Sequence, residues 1–268
     1  MQVESDLHLE FVKPLDEAGL AKFMPRKQGA HCLFLAGDIC SLEDRFLDRY
    51  ERLIKYAAQT WSVVFVITGN HEYYHGEDGE PLTVEECDAL ARSICEQFSN
   101  VHFLQRESYY MAEYNLTVLG VTLWSNTDRR IELNDYNNIY KAVDGKHVNI
   151  TYKDTQAWWQ RDAKWLEDTI NEERTKGRQI LCLTHHMPSF KLIAKQYKFS
   201  PANIGFASHM DHLFKLCQYW FCGHTHLPTT IRLEGCQIVI NPRGYPGETQ
   251  YKPIVLPLEA TPLDVMRF

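Results

Sequence analysis

The feature of this sequence that most restricts its fold is a repeated pairing of a buried strand with metal-binding types of residue. Nearly continuous apolar runs are typical of strands that are covered on both faces. Here each run ends close to a histidine, a carboxylate or a carboxamide, in most cases after a glycine. If these strands share a two-layered core, their polar ends converge. The clearest runs are residues 31–36, 63–67, 180–184 and 219–222.

The residues at these strand ends are those that bind metal ions through nitrogen or oxygen. Imidazole is the commonest metal ligand among side chains, and Gly223 allows the tight backbone that brings His224 and His226 into one small volume. Alone, this His-x-His pair is as consistent with an ordinary turn as with a metal site. Further candidates of the same kind follow the other strands: Asp38, Asn70, His71 and His185.

The N-terminus adds a carboxylate and an imidazole. Residues 2–5 predict a short strand, and alternation along it predicts that Asp6 and His8 lie on the same side. Two of the other strand-end residues have alternative interpretations. Asp38 can cap the next helix, although Ser41 could do so instead, and Gly69-Asn70 is also a good turn pair.

The remaining pattern predicts alternating helices and strands. Helical spacing covers residues 42–58, 83–98 and 155–176, and strands are predicted at 101–104, 116–124, 229–233, 236–240 and 251–256. Residues 14–27 show no regular pattern. The long polar segment at about 125–154 is interpreted either as a substrate wall or as a surface excursion. With no repeat or linker, residues 1–268 are expected to form a single domain.

Composition narrows the class of partner. The net charge of -7 and the pI near 5.9 give no general attraction to nucleic acid or to an anionic membrane. The sequence contains no run of eighteen apolar residues, so no membrane span is predicted. The first six residues lack the basic start and apolar middle of a secretion signal. The eight cysteines are interpreted as small buried residues, which favours a reducing, cytoplasmic location.

Taken in order, these blocks resemble the calcineurin-like metallophosphoesterase superfamily. The matching strings are Asp6-Leu-His8, Gly37-Asp38, Gly69-Asn-His-Glu72, His185-His186 and Gly223-His-Thr-His226. The resemblance implies an α/β fold, a four-layer αββα sandwich of two mixed β-sheets flanked by helices, with a dinuclear metal site at the strand ends. It implies one ion at Asp6, His8, Asp38 and His226. Asp38 would bridge to a second ion held by Asn70, His185 and His224.

The function that the resemblance implies is a metal-dependent phosphoesterase. It would hydrolyse a phosphodiester or a phosphomonoester of a small molecule, the diester being favoured, through a hydroxide that bridges two manganese, iron or zinc ions. His71 and Asp38 are the catalytic candidates. Substrate contacts are predicted for Arg243, Arg129 and His186; either arginine could instead form a surface ion pair, and His186 is the alternative to His185 as ligand. A nuclease and a non-catalytic binding scaffold are the alternative functions.

Overall fold

The structure, a computed structural model, describes residues 1–76 and 80–258 of the chain. Two large sheets form its centre. In chain order the strands are β1 (Gln2–Glu4), β2 (Cys32–Ala36), β3 (Val63–Ile67), β4 (Val101–Phe103), β5 (Glu107–Met111), β6 (Leu116–Val121), β7 (Tyr140–Val143), β8 (Lys146–Asn149), β9 (Gln179–Thr184), β10 (Tyr219–Cys222), β11 (Thr229–Leu233), β12 (Cys236–Ile240) and β13 (Ile254–Val255). The α-helices are α1 (Glu17–Phe23), α2 (Asp44–Thr60), α3 (Val84–Cys95), α4 (Asp135–Asn138) and α5 (Tyr152–Thr175).

Both large sheets are mixed, and their central strands are parallel. The first sheet has the order β13-β1-β2-β3-β4, with only β13 antiparallel to its neighbour. The second has the order β11-β12-β10-β9-β6-β5, with β11 and β5 as antiparallel edge strands. Parallel strands present their carboxyl ends at one edge, which is where open α/β sheets bind ligands.

Three clusters of buried apolar side chains define the layers. Between the sheets, the Phe34 ring stacks on Phe65 of the same sheet and meets Phe221 of the other sheet edge-on, with both centroid distances at 5.1 Å. The outer face of the first sheet packs against α1, α2 and α3, and that of the second packs against α5. Each fully buried phenylalanine stabilises this arrangement by about 1.5–3 kcal/mol. The four-layer αββα sandwich is therefore confirmed.

Helix starts depend on local polar contacts. At α3, the Thr83 hydroxyl accepts from the Glu86 amide at 3.3 Å while the Glu86 carboxylate accepts from the Thr83 amide at 2.8 Å, a capping box. The proposed capping role for Asp38 is wrong, because α2 begins later, with Glu43 at its N-cap. Ser41 does not occupy that position either; its hydroxyl donates to the Tyr74 carbonyl at 2.7 Å.

Several short elements differ from the sequence prediction. Helix α1 lies in the supposedly irregular residues 14–27, and the polar segment 125–154 contains α4 and the β7–β8 hairpin. Strand β5 was not expected, and the strand predicted at 116–124 ends at Val121, just before Leu123 takes a left-handed conformation with φ 51°. The predicted final strand shrinks to β13. These elements are short or mostly exposed, so they carry no apolar periodicity to read.

Candidate metal centre

The carboxyl ends of five parallel strands bring the predicted metal-binding residues together. Asp6 and His8 follow β1, Asp38 follows β2 and Asn70 follows β3, all in the first sheet. From the second sheet, His185 follows β9 and the loop after β10 carries His224 and His226. The ligand-type atoms of Asp6, His8 and His226 lie within 4.8 Å of one another, as do those of Asp38, His185 and His224.

The backbone at this edge is unusually left-handed. Five of the site residues have positive φ: Asp6 at 51°, His8 at 46°, Asp38 at 54°, His224 at 74° and His226 at 49°. For residues other than glycine this conformation is uncommon and costs of order 1 kcal/mol or more each. This backbone conformation also corrects the expected reason why Asp6 and His8 lie on the same side. Their side chains meet His226 through left-handed turns beyond β1, and not through alternation along a strand.

Glycines allow the strand-end loops to approach each other. A Cβ on Gly69 would lie 2.2 Å from the Asp38 Oδ1, and one on Gly37 would lie 2.5 Å from the Gly69 amide nitrogen. A Cβ on Gly223 would lie 2.8 Å from the Asp6 Oδ2. No side chain fits at such distances, so these three positions require glycine for the close approach of the loops.

The first cluster is formed by Asp6, His8 and His226. The Nε2 atoms of His8 and His226 are 2.9 Å apart, and the His226 Nε2 lies 3.5 Å from the Asp6 Oδ1. The other ring nitrogens are occupied: His8 Nδ1 meets Glu10 at 3.1 Å, and His226 Nδ1 meets Glu248 at 2.7 Å. These carboxylates fix both rings with Nε2 directed inward, the arrangement that commonly supports metal-binding histidines.

The second cluster is formed by Asn70, His185 and His224. The His185 Nε2 lies 3.0 Å from the Asn70 Oδ1 and 3.2 Å from the His224 Nδ1. His185 donates from Nδ1 to the Ala36 carbonyl at 2.9 Å, which leaves Nε2 as its inward-facing nitrogen. The Asn70 amide group donates to Asp135 at 2.9 Å, so its oxygen is turned toward the cluster.

Asp38 lies between the two clusters. Its Oδ1 is 3.3 Å from the His185 Nε2, and its Oδ2 is 3.7 Å from the His8 Nε2. One carboxylate therefore presents one oxygen to each group of histidines. Burial raises the pKa of Asp38, but the neighbouring charges of His185 and His71 outweigh burial and hold this pKa well below its usual range.

The donor set fits a pair of cations. Two imidazole nitrogens at 2.9 or 3.2 Å can face each other only around a shared proton or a shared cation. The inward atoms are nitrogen and oxygen only, which suits manganese, iron or zinc. The eight cysteines are all buried and free, and none belongs to the three groups of candidate metal-binding side chains among the described residues.

The histidines differ in how readily they hold a proton in the metal-free chain. Burial lowers the pKa of His185, but the Asp38 charge and hydrogen bond outweigh it and raise the pKa to about 9. The pKa of His226 is likewise about 9, because Asp6 and Glu248 outweigh burial. Burial, together with His186 and His185, holds the pKa of His224 well below its usual value.

His71 lies beside the first cluster. Its Nδ1 is 2.9 Å from the Glu10 Oε1, its Nε2 is 3.3 Å from the Tyr245 hydroxyl, and its ring stacks on Tyr74. Burial lowers its pKa, but Asp38 and then Glu10 raise it above the ordinary value. His71, His8 and Glu10 also form a third group whose ligand-type atoms lie within 4.8 Å of one another. Because both Nδ1 atoms address the same Glu10 oxygen, the contacts are those of a carboxylate orienting two rings.

Sequence reasoning missed four carboxylates that position the site. Glu10 and Glu248 orient histidines, and Asp135 orients Asn70. The fully buried Glu72 accepts from the amides of Asp38, Gly69 and Ile39 at 3.0, 2.6 and 2.6 Å, so it ties the β2 and β3 loops together. Glu10 and Glu72 stand within two residues of candidate ligands, a spacing that could have been noticed. Asp135 and Glu248 carried no such signal.

A cavity of about 520 Å³ opens onto this centre. Asp38, Asn70, His71, His224 and His226 line it on the strand side. Three further parts of the chain form its other walls. The segment after β6 supplies Glu132, Leu133, Asn134 and Asp135, and the segment with 3-10 turns after β9 supplies Ile193, Tyr197 and Phe206. Tyr74 and Tyr245 come from the loops after β3 and β12.

The three predicted substrate contacts lie elsewhere. Arg243 donates to the Phe23 carbonyl at 2.6 Å and stacks on the Phe23 ring, held there because its amide pairs with the Ser5 carbonyl beside β1. Arg129 is mostly exposed and pairs with Asp128 at 3.4 Å. His186 is buried behind His224, with ring centroids 4.2 Å apart. None of the three is among the described residues that line the cavity, so their contact with substrate stays a prediction.

No helix in the described part of the chain is both long and apolar enough to cross a membrane.

Comparisons with known proteins agree with this fold. The chain is 28% identical over 264 residues to the uncharacterized protein L509 of Acanthamoeba polyphaga mimivirus, which covers 91% of this chain and 90% of that one. Phosphopantetheinyl hydrolase from Mycobacterium tuberculosis shares the fold with a TM-score of 0.66 at 14% identity, over 97% of both chains. TT1561 of Thermus thermophilus shares it with a TM-score of 0.54 at 13% identity, over 90% of this chain and 88% of the other.

The model of the family described as calcineurin-like phosphoesterase matches residues 3–228. That range is most of the chain and contains the ends of all five strands described above. The chain therefore belongs to the calcineurin-like phosphoesterase family.

Proposed function

We propose that this chain is a metal-dependent phosphoesterase, and that it acts on small phosphodiesters in preference to phosphomonoesters. The observation that supports it most is the position of Asp38, with one oxygen facing His185 and the other facing His8. A carboxylate placed in this way between two nitrogen-rich clusters is the arrangement expected for a dinuclear hydrolytic site.

The proposed ligands divide into two sets that share Asp38. Asp6, His8 and His226 would hold one ion, and Asn70, His185 and His224 the other. Bound divalent or trivalent ions would polarise the phosphoryl group and supply an acidified water near neutral pH. Ligand chemistry alone leaves manganese, iron and zinc all suitable, because availability as well as affinity decides which is bound.

His71 is proposed to donate a proton to the leaving group. Its Nδ1 is held by Glu10, so Nε2 is the nitrogen left to serve the cavity. Burial lowers the pKa of His71, but Asp38 and Glu10 raise the pKa above the ordinary value, which favours the protonated ring that a proton donor needs. From there Nε2–H donates to the departing alkoxide oxygen, and the Tyr245 hydroxyl at 3.3 Å supports the same nitrogen. Such positioned proton transfer typically contributes about 10²–10⁴-fold.

The preference for a diester rests on charge. A phosphodiester carries one negative charge near neutral pH and a phosphomonoester carries nearly two. Among the described residues that line the cavity there is no lysine or arginine, whereas Glu132, Asp135 and Glu248 all lie there. A second substrate charge would gain no ion pair from these walls. The proposal also assigns residues 125–154 to the substrate wall, within a single domain of residues 1–268.

The test is hydrolysis by protein loaded with manganese. Bis(p-nitrophenyl) phosphate should be cleaved with a higher kcat/KM than p-nitrophenyl phosphate. Asp6→Ala should abolish cleavage, whereas His212→Asn should retain it, because His212 is exposed and pairs only with Glu167 at 3.4 Å. Absence of cleavage with manganese, iron and zinc, together with no metal retained, would instead support a binding scaffold.

A nuclease is the competing hydrolytic function. A site for a nucleic acid strand usually offers a positive groove and stacking surfaces, and the carboxylates of this cavity oppose the first of these. Degradation of single-stranded DNA or RNA faster than the small diester would overturn the proposed substrate class while leaving the metal chemistry intact.

A further inference from the structure

The walls of the cavity carry an excess of negative charge that the metal centre does not use. Asp135 is buried and accepts from Asn70 at 2.9 Å and from Tyr74 at 2.5 Å. Glu248 accepts from His226 and from the Tyr245 amide. Both are occupied in orienting other groups. Glu132 is different: it is exposed and lines the cavity, and no ion pair or hydrogen bond engages its carboxylate in the described part of the chain.

Two lysines close along the chain to these walls have partners of their own. Lys191 pairs with Asp211 at 2.9 Å, and the Lys198 ammonium lies 5.7 Å from the centre of the exposed Phe199 ring. Arg130 does not line this cavity; it lines a neighbouring depression, which Glu132 also borders. A ligand that brings its own positive charge would therefore meet the Glu132 carboxylate, with no lysine or arginine among the described residues that line the cavity.

The same walls are rich in aromatic rings. Tyr197 lines the cavity and is 59% exposed, so its ring is free for contact with a ligand. Phe206 lies beside His224, with ring centroids 4.6 Å apart, and Tyr245 lies beside His226 at 4.8 Å. Aromatic rings next to a carboxylate are the recognition chemistry of ammonium groups, and quaternary ammonium is favoured because it is weakly hydrated and meets ring faces directly.

We infer that the site selects phosphodiesters in which one esterified alcohol carries an ammonium group of the choline type, with that group against Tyr197 and Glu132. The inference rests on the proposed phosphoesterase function and names its substrate class. Water would form the new bond to phosphorus, and the bond from phosphorus to one alcohol oxygen would break. The leaving oxygen would take a proton, and the products would be a phosphomonoester and an alcohol.

The test compares two esters of the same shape that differ in charge. One is p-nitrophenyl phosphorylcholine, and the other is p-nitrophenyl 3,3-dimethylbutyl phosphate, in which carbon replaces the charged nitrogen. For the manganese-loaded protein, kcat/KM should be at least about tenfold higher for the choline ester, the scale of a cation held by a ring and a carboxylate. Equal values for the two esters overturn the inference and leave the proposed function standing.

Variants identify the residues responsible. Glu132→Gln should reduce the ratio of the two kcat/KM values several-fold by lowering kcat/KM for the choline ester, and Tyr197→Leu should also reduce it. Glu167→Gln is the matched control, because Glu167 is exposed, pairs with His212 and is not among the described residues that line the cavity; it should not alter the ratio. If Glu132→Gln lowers the rates of both esters equally, Glu132 does not recognise the cation and the inference fails.

A further comparison identifies the source of the cationic group. The same protein is given soluble glycerophosphocholine and, separately, vesicles of phosphatidylcholine, and phosphate-ester products are measured. Faster cleavage of the soluble compound indicates a small metabolite, and faster cleavage of the vesicles indicates a lipid headgroup. If the protein cleaves neither bis(p-nitrophenyl) phosphate nor any of the three choline esters, the proposed function and this inference are both rejected.

Discussion

The two halves of the candidate metal centre are built by different means. Around the first cluster, the histidines are backed by carboxylates, Glu10 behind His8 and Glu248 behind His226. Around the second cluster, His185 is backed by the neutral carbonyl of Ala36 at 2.9 Å, and it is fully buried. The first half depends on two negative charges, one on the buried side chain of Glu10 and one at Glu248, whose side chain is 44% exposed, whereas the second depends on burial between the sheets.

One fold can therefore offer two similar cations different surroundings, charged partners behind the histidines in one half and a buried neutral partner in the other. An anionic partner behind an imidazole makes it a more basic ligand, while a buried neutral partner mainly fixes its orientation. We therefore expect the first half to be sensitive to removal of charge and the second to be sensitive to changes in packing. Asp38 is the one side chain placed in both.

The largest effect is expected from Asp38→Ala, because it removes the group that both halves share. Hydrolysis of bis(p-nitrophenyl) phosphate should fall by about 10⁴-fold or more, at or beyond the upper end for a single catalytic group. Bound metal should fall below one ion per chain, as measured by elemental analysis of the purified protein. Retention of two ions with normal activity would remove Asp38 from the centre.

His71→Asn should have the next largest effect, about 10³-fold on kcat, because it removes the proposed proton donor. Its metal content should stay at the wild-type value. This variant also tests whether His71 belongs to the ligands of the first half, since His71 and His8 both contact Glu10. If the variant instead loses one ion, His71 is a ligand and its proposed role is wrong.

A matched pair of carboxylate-to-amide changes compares the outer contacts of the two halves. Glu10→Gln should weaken binding of the first ion by about 10–100-fold, because it removes the charge behind His8. Asp135→Asn should weaken binding of the second ion less, because Asp135 acts through the neutral Asn70. Metal titration of stripped protein separates the two, and an equal or reversed order would contradict the contrast between charge and burial.

The smallest effect expected is on the pH dependence of stability in metal-free protein. The folded-state pKa values of His185 and His226 are about 9, above the ordinary 6.5. The stability that comes from their protonation is thus complete below about pH 6.5 and is lost as pH rises through about 9. Between pH 7 and 9.5 the Tm of stripped protein should fall by several degrees.

Two comparisons check that origin. Metal-loaded protein should show a smaller fall in Tm, because ligation already requires these nitrogens to be unprotonated. Glu248→Gln should reduce the fall in stripped protein, since Glu248 helps to raise the pKa of His226 and does not contact His185. An identical fall in all three proteins would assign it to other groups.

The core of the fold was predictable because its signal is local and repeated. The buried strand β3 is confirmed at its predicted bounds, as are the strands of the β11–β12 hairpin. Each follows from an apolar or β-branched run closed by turn residues. Convergence of Asp38, Asn70 and His185 could be expected for the same reason, since parallel strands end at one edge.

What the sequence could not provide was contact between distant polar residues. Asp135 is one acid in a polar stretch, and nothing local shows that it faces Asn70, 65 residues earlier. Glu248 reaches His226 from a loop with no regular pattern. Arg243 was a plausible phosphate contact by residue type, but packing on Phe23 decides its position. These contacts join residues that are far apart along the chain, and the periodicity of a single sequence does not predict them.

The order of the strands along the chain bears on when the metals can be acquired. Strands β1 to β4 of the first sheet precede all the strands of the second sheet, which are β5, β6 and β9 to β12, and each sheet brings only part of the proposed ligands. On a growing chain, Asp6, His8, Asp38 and Asn70 emerge long before His224 and His226. Neither proposed ion site is therefore complete until His224 and His226 have left the ribosome, which makes metallation a late event relative to synthesis of the first four strands.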